Sequence, residues 1–168
     1  SKRLALSTVF TDRLVVDEFS SSDMSSYAAL ATDEERNRYW GYDYKLDLGT
    51  DEPNAAHFEK VLTEDEGRGV CYCRKISTKE GAFVGEAVIY NFRLDGSAEL
   101  GLRITAAMAD NGYGRETYKA VADAALSFLP KLHARCFKEN APSRKMILAA
   151  GFKQVREDDK MFYFVREK

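Results

Sequence analysis

The sequence predicts an α+β domain: a mixed, mostly antiparallel central sheet flanked by helices. Three observations predict it. Three runs with a period of two, at 70–75, 82–92 and 97–104, follow one another through short turn-rich connections and form an antiparallel meander. A long amphipathic helix at about 112–129 then leads into a short strand at 132–137, and a helical crossover between two strands imposes parallel pairing. Finally, 168 residues with 45% hydrophobic and 31% charged content fit one domain, spanning 1–168, that can bury a core without disulfide or metal staples.

The elements follow in order. Residues 13–19 (RLVVDEF) are rich in β-branched side chains and read as a strand. Ser20, Ser21, Ser22 and Asp23 offer N-caps to a helix over 24–31. A polar helix covers 33–38, the aromatic run 39–43 (YWGYD) is irregular, and Pro53 suits the first turn of a helix reaching about Thr63. Turns at 79–81 (KEG) and at Asp95-Gly96 connect the meander, the second being the strongest hairpin signal in the chain. In the long helix Tyr113, Thr117, Val121, Ala124 and Phe128 recur at helical spacing, with Tyr118, Ala122, Ala125 and Leu129 widening the stripe, and Pro130 ends it. A last helix over 143–150 closes at Gly151 in the C′ position, and two strands at 152–156 and 161–165 flank a polar turn.

Composition excludes several functions. A net charge of −2, from 25 basic and 27 acidic residues, argues against nucleic-acid binding by bulk electrostatics. No run approaches the ~18 apolar residues of a membrane span, and SKRLALSTVF does not read as a secretory signal. Cys71, Cys73 and Cys136 make an odd set that suits a reducing, cytoplasmic setting better than a disulfide framework. With His57 and His133 in unrelated contexts, no metal site is expected. The charge is uneven: residues 33–66 hold eleven acids to four bases, and residues 131–168 hold ten bases to five acids. The first segment suits a cationic ligand and the second an anionic one, unless both are simply solvated faces.

The chemistry concentrates in 104–116 (ITAAMADNGYGRE), where a strand ends and a helix opens on Gly112 and Gly114. A Gly-x-Gly there exposes successive N–H groups at the positive end of a helix, a place for a pyrophosphate, with Arg115 as an added cation. The alternative is a merely tight strand-to-helix turn. A Rossmann fingerprint fails, because Thr117 stands where a third small residue belongs and the next strand ends in Cys-Phe-Lys. A P-loop is absent.

These residues resemble the acetyl-CoA pyrophosphate loop of the GNAT superfamily of N-acetyltransferases, Arg/Gln-x-x-Gly-x-Gly/Ala, with Ala109-Asp110-Asn111-Gly112-Tyr113-Gly114 here. Ala109 replaces the leading Arg or Gln, which removes one phosphate donor. The resemblance sharpens toward the RimJ/RimL-like ribosomal-protein N-terminal acetyltransferases. Their Thr-x-Arg-Leu run is similar to Thr11-Asp12-Arg13-Leu14, their Gly-Tyr-Ala-Thr-Glu helix start to Gly112–Glu116, and their Asn-x-x-Ser…Gly-Phe run to Asn140-Ala141-Pro142-Ser143…Gly151-Phe152.

The resemblance implies a sheet splayed between the strands 97–104 and 132–137, with acetyl-CoA as co-substrate and no metal. Backbone groups of Leu102, Arg103 and Ile104 would meet the pantetheine arm, one N–H polarising the thioester carbonyl. Asn111, Gly112, Tyr113, Gly114 and Arg115 would hold the pyrophosphate. Asn140 would bond the pantetheine or phosphate region, or else serves as a turn residue before Pro142. Glu99 is the candidate base, or a strand carboxylate paired with Arg103 or a neighbouring strand. Ser143 is the candidate acid toward the CoA sulfur, or the N-cap of the last helix. Tyr39 and Trp40, with Tyr42 and Tyr44, would line the amine site, or else are ordinary packing. Cys136 is not expected to act as a covalent relay, for want of an activating histidine. The implied activity is direct acetyl transfer to a primary amine, either a protein N-terminus or a small molecule, by a monomer or homodimer that needs neither nucleic acid nor membrane. The alternative is a non-catalytic acyl-CoA-binding or interaction domain of the same fold.

Overall fold

A computed structural model describes residues 6–40 and 54–168; the expectations on Tyr42, Tyr44 and Pro53 lie outside the described residues. The strands are β1 (Val9–Phe10), β2 (Leu14–Asp17), β3 (Cys71–Thr78), β4 (Phe83–Tyr90), β5 (Ala98–Ile104), β6 (Lys131–Phe137), β7 (Lys153–Glu157) and β8 (Met161–Glu167). The helices are α1 (Met24–Ala31), α2 (Glu34–Asn37), α3 (Ala55–Gly67), α4 (Tyr113–Ala125) and α5 (Ala141–Ala149). One sheet runs β1-β2-β3-β4-β5-β6-β8-β7. Every pairing is antiparallel except β5 with β6.

That exception shapes the molecule. β5 and β6 pair only at Ala98 with Leu132 and Glu99 with His133, although each strand is seven residues long. Beyond Glu99 the two part, and the sheet is open toward the C-terminal end of both. Because successive side chains alternate between faces, Ala98 and Leu100 point to the side covered by α4 and α5. There Tyr118, Val121, Ala122 and Ala125 pack on Leu14, Ile76 and Ile89. Each buried leucine, isoleucine or valine there contributes about 1.5–3 kcal/mol, and each alanine about 0.8 kcal/mol. Glu99, Gly101 and Arg103 point to the other side, where Arg103 meets Tyr27 of α1, which packs with Phe58 of α3.

Several boundaries differ from the sequence reading, each for a local reason. α5 starts at Ala141, because the Asn140 side chain accepts from the Ser143 N–H and so caps the helix; Ser143 is its third residue and not its cap. α4 ends at Ala125, and 126–129 continue as turns before Pro130. α3 runs on to Gly67. Asp95-Gly96 does not form a two-residue hairpin. The connection spans 91–97, with Gly96 at φ +85° and Asp95 Oδ1 accepting from the Ser97 N–H. Gly151 lies in the expected left-handed C′ position, φ +87°.

Candidate active site

The opening between β5 and β6 belongs to a groove of ≈ 870 Å³ that runs from the start of α4 past β5 and α5 to the α2 and α3 side. At its α4 end the chain leaves β5 through a 3-10 turn, takes Asp110 to φ +64° and Gly112 to φ +76°, and enters the helix. The amides of residues 111–115 have no acceptor among the described residues. The Asn111 side chain donates instead to the carbonyls of Met108 and Ala109, both at 3.1 Å, and holds the loop open. Gly112, Tyr113, Gly114 and Arg115 all line the groove. A Cβ on Gly114 would meet Met146 Sδ at 3.4 Å and Leu102 at 3.6 Å, so the glycine lets α4 close on β5 and α5.

One cation here was not singled out from sequence. Arg13 stands 3.5 Å, at Nη2, from where a Cβ on Gly112 would be, and its guanidinium lies 4.5 Å from the Tyr113 ring centroid. Glu116 fixes it, accepting from Arg13 Nε at 2.8 Å, from the Arg13 N–H at 3.1 Å and from the Thr11 hydroxyl. Burial pushes the Glu116 carboxyl up, but these bonds outweigh it and hold it below its ordinary value. Thr11, Arg13 and Glu116 thus form one unit, which is the physical content of two runs read separately in the sequence.

Along β5 the register decides which backbone groups face the opening. Thr105 N–H donates to Val84 O, so the hydrogen-bonded partners in this antiparallel pair are Arg103 with Glu86, Gly101 with Val88 and Glu99 with Tyr90. The backbone of Arg103 is therefore committed to β4, contrary to its expected place beside pantetheine, and its side chain lies on the opposite face. Leu102 and Ile104 turn their N–H groups toward β6, where no strand among the described residues pairs with them. The Ile104 carbonyl accepts from Arg36 Nε at 2.9 Å, which ties α2 to the end of β5. Across the opening, Asn140, Pro142 and Ser143 line the groove from α5. The Ser143 hydroxyl makes no hydrogen bond among the described residues.

Glu99 sits outside the lining, 2% exposed, with both oxygens occupied. Arg135 Nε reaches Oε2 at 3.0 Å, Arg135 Nη2 and Arg93 Nη2 reach Oε1, and Asn91 Nδ2 adds a contact at 3.3 Å. Burial raises its proton affinity, but the Arg135 bonds and charge outweigh that and hold the carboxyl below its ordinary value. Glu99 clasps β5 to β6 where the opening begins. The sequence reading allowed pairing with Arg103 or with a neighbouring strand; the partner is Arg135 of the neighbouring β6.

Tyr39 and Trp40 both line the groove. Tyr39 packs on Phe137 of β6 at 5.6 Å, and Trp40 lies over Gly101 and 4.6 Å from the Arg103 guanidinium. Cys136 is buried, which raises its thiol pKa, and no histidine attends it: His133 bonds Ser97 and His57 caps α3. Among the described residues no group of three or more His, Cys, Asp or Glu could hold a metal, and no helix is long and apolar enough to cross a membrane.

Comparison with known proteins agrees with this geometry. The acetyltransferase (GNAT) domain model matches residues 13–153. No curated protein matches the chain by sequence. Among solved structures, a GNAT-family acetyltransferase from Bacillus anthracis shares 15% identity over 96% of this chain and 98% of its own, with a TM-score of 0.78. A spermidine N-acetyltransferase from Vibrio cholerae, in complex with CoA and spermine, shares 12% identity over 92% and 95%, TM-score 0.77. Mycobacterium smegmatis RimJ, in complex with CoA-disulfide, shares 17% over 97% and 88%, TM-score 0.78. At these identities the structures establish the fold, and the domain match over most of the chain establishes the lineage: this chain belongs to the GNAT acetyltransferase family.

Proposed function

We propose that the protein is an acetyl-CoA-dependent N-acetyltransferase that moves acetyl directly to a primary amine in a ternary complex. The observation that carries this reading is the row of amides at 111–115 without an acceptor among the described residues, set at the mouth of the opening between β5 and β6. Free donors at a helix start, with Arg13 and Arg115 beside them, fit a pyrophosphate. The Leu102 and Ile104 N–H groups fit the amide-bearing arm and the thioester carbonyl. Arg13 supplies a cation that Ala109 does not.

Bound acetyl-CoA supplies an activated acyl group: the amine, an ammonium in water, first gives one proton to solvent, its nitrogen then bonds to the carbonyl carbon, the C–S bond breaks, and a second amine proton goes to the thiolate. The chain's part is to orient and to move protons. Ser143 is the acid of this reading, protonating the leaving sulfur: it is the third residue of α5 and its hydroxyl makes no hydrogen bond among the described residues. Asn140 sets that hydroxyl by capping the helix. Glu99, saturated by two arginines, keeps the strands joined at the throat of the opening and is a poor base. Tyr39 and Trp40 wall the amine side.

The acceptor is a protein N-terminus or a small amine, as the RimJ and spermidine acetyltransferase likenesses suggest. Three unpaired thiols suit a cytoplasmic setting, and a monomer or homodimer suffices. Ala109 favours the second reading, an acyl-CoA-binding domain without turnover. Thermal shift with acetyl-CoA, followed by thiol release over a panel of amines, separates them. Release with any amine supports the enzyme; a shift with no release supports the binding domain; no shift overturns both.

A further inference from the structure

On the α1 and α3 side, the groove wall holds a charge that the pyrophosphate end does not explain. Glu86 of β4 is 1% exposed yet lines the groove. Its Oε1 accepts from Arg103 Nε at 2.9 Å, while Oε2 is buried with no hydrogen-bond partner among the described residues. No other Arg103 N–H reaches Oε2. Nη1 donates to Asn37 Oδ1, Nη2 donates to the Tyr27 hydroxyl at 3.3 Å, and the Trp40 ring covers the guanidinium. Buried carboxylate oxygens without a donor are rare because their desolvation goes uncompensated, and they cluster where a ligand completes them. Around Glu86 the groove is lined by Phe58, Leu62, Cys73 and Trp40, with Asp65 on its α3 side. The missing partner is thus a hydrogen-bond donor, apolar in its body and positive at its tip.

We propose that Glu86 Oε2 accepts a hydrogen bond from the incoming amine, so that the site selects primary amines that are cationic in water over neutral amines of the same size. The inference rests on the acetyltransferase reading and adds the residue and the charge class of the acceptor. Glu86 is an acceptor-binding residue, distinct from Glu99, which points to the same face of the sheet but is filled by its own arginines.

The test compares two isomers, benzylamine, an ammonium near neutral pH, and 4-methylaniline, uncharged there, in the unaltered protein and in E86Q. Glutamine keeps an oxygen for Arg103 and puts a donor where Oε2 was. E86Q is expected to lower kcat/KM for benzylamine about ten- to hundredfold, as loss of a hydrogen bond to a charged group does. The loss for 4-methylaniline is smaller, and the acetyl-CoA dissociation constant holds. Equal losses for both isomers, or no loss, overturn the proposal. Should E86Q not fold, a crystal structure of the unaltered protein with CoA and benzylamine decides: the nitrogen within hydrogen-bond distance of Oε2 supports it, and a nitrogen seated elsewhere or an empty groove overturns it. Failure of the unaltered protein to bind acetyl-CoA would instead strike the acetyltransferase reading itself.

Discussion

Replacing Gly112 with glutamate probes the anion cradle, and the structure sets the size of the effect. Gly112 caps α4 at φ +76°, ψ 8°, where an L side chain costs about 1–2 kcal/mol. A chain of this length loses about 2–4 °C of Tm per kcal/mol, so both G112A and G112E should melt about 2–8 °C lower. Neither clashes, since the new Cβ meets nothing nearer than Arg13 Nη2 at 3.5 Å. Glutamate alone adds charge. It can draw the Arg13 guanidinium away from the loop and faces the pyrophosphate with the same sign. A pair of unit charges about 4 Å apart near a surface is worth about 1–4 kcal/mol; at about 2 kcal/mol, acetyl-CoA binds G112E about thirtyfold more weakly than G112A. Calorimetric titration measures both variants at low salt and again near 1 M, where screening should shrink the gap. If G112E binds acetyl-CoA as tightly as G112A, the phosphates do not lie at residues 111–115 and the placement of the whole co-substrate fails.

Other substitutions test the remaining parts. S143A should lower kcat about a hundredfold while Tm and acetyl-CoA affinity hold, because the hydroxyl bonds nothing among the described residues; a parallel fall in Tm would make it structural. N140A should cost about 1 kcal/mol through loss of the α5 cap, read as a Tm drop of about 2–4 °C. R135M strands the buried Glu99 carboxylate. With Arg93 still present and Arg135 itself partly exposed, about 2 kcal/mol of the 3–5 expected for a broken buried pair should appear in urea unfolding. Glu116 titrates below its ordinary value in the fold, so its contribution is complete above the unfolded pKa of ~4.3 and is lost as pH falls through the lower folded value. The Tm advantage of the unaltered protein over E116Q should therefore vanish in acid; an advantage independent of pH contradicts the ion-pair account.

What was legible in the sequence followed from local rules. The meander at 70–104, the amphipathic stripe of α4 and the left-handed Gly151 were written in period and turn chemistry. So were the glycines of the cradle. What escaped was set by pairing between distant residues. β1 is two residues long and exists because Val9 and Phe10 meet Val16 and Val15. Glu99 and Arg103 share a face of one strand, but four residues of strand span about 13 Å, too far for an ion pair. Register instead put Arg103 opposite Glu86 and brought Arg135 to Glu99 from the next strand. No spacing rule distinguishes two glutamates on neighbouring strands of the same face; only the register shows which of them has an oxygen to spare. Arg13 reaches the cradle from far along the chain for the same reason.

The Thr11–Arg13–Glu116 unit means that the segment before β2 acts as a buckle on the start of α4. A protease nick or a bulky tag that peels the chain back past Thr11 undoes that buckle without touching the groove. If the cradle holds CoA as proposed, nucleotide affinity gauges whether that contact is made, and preparations cleaved near Thr11 will differ from intact ones in how well they hold it.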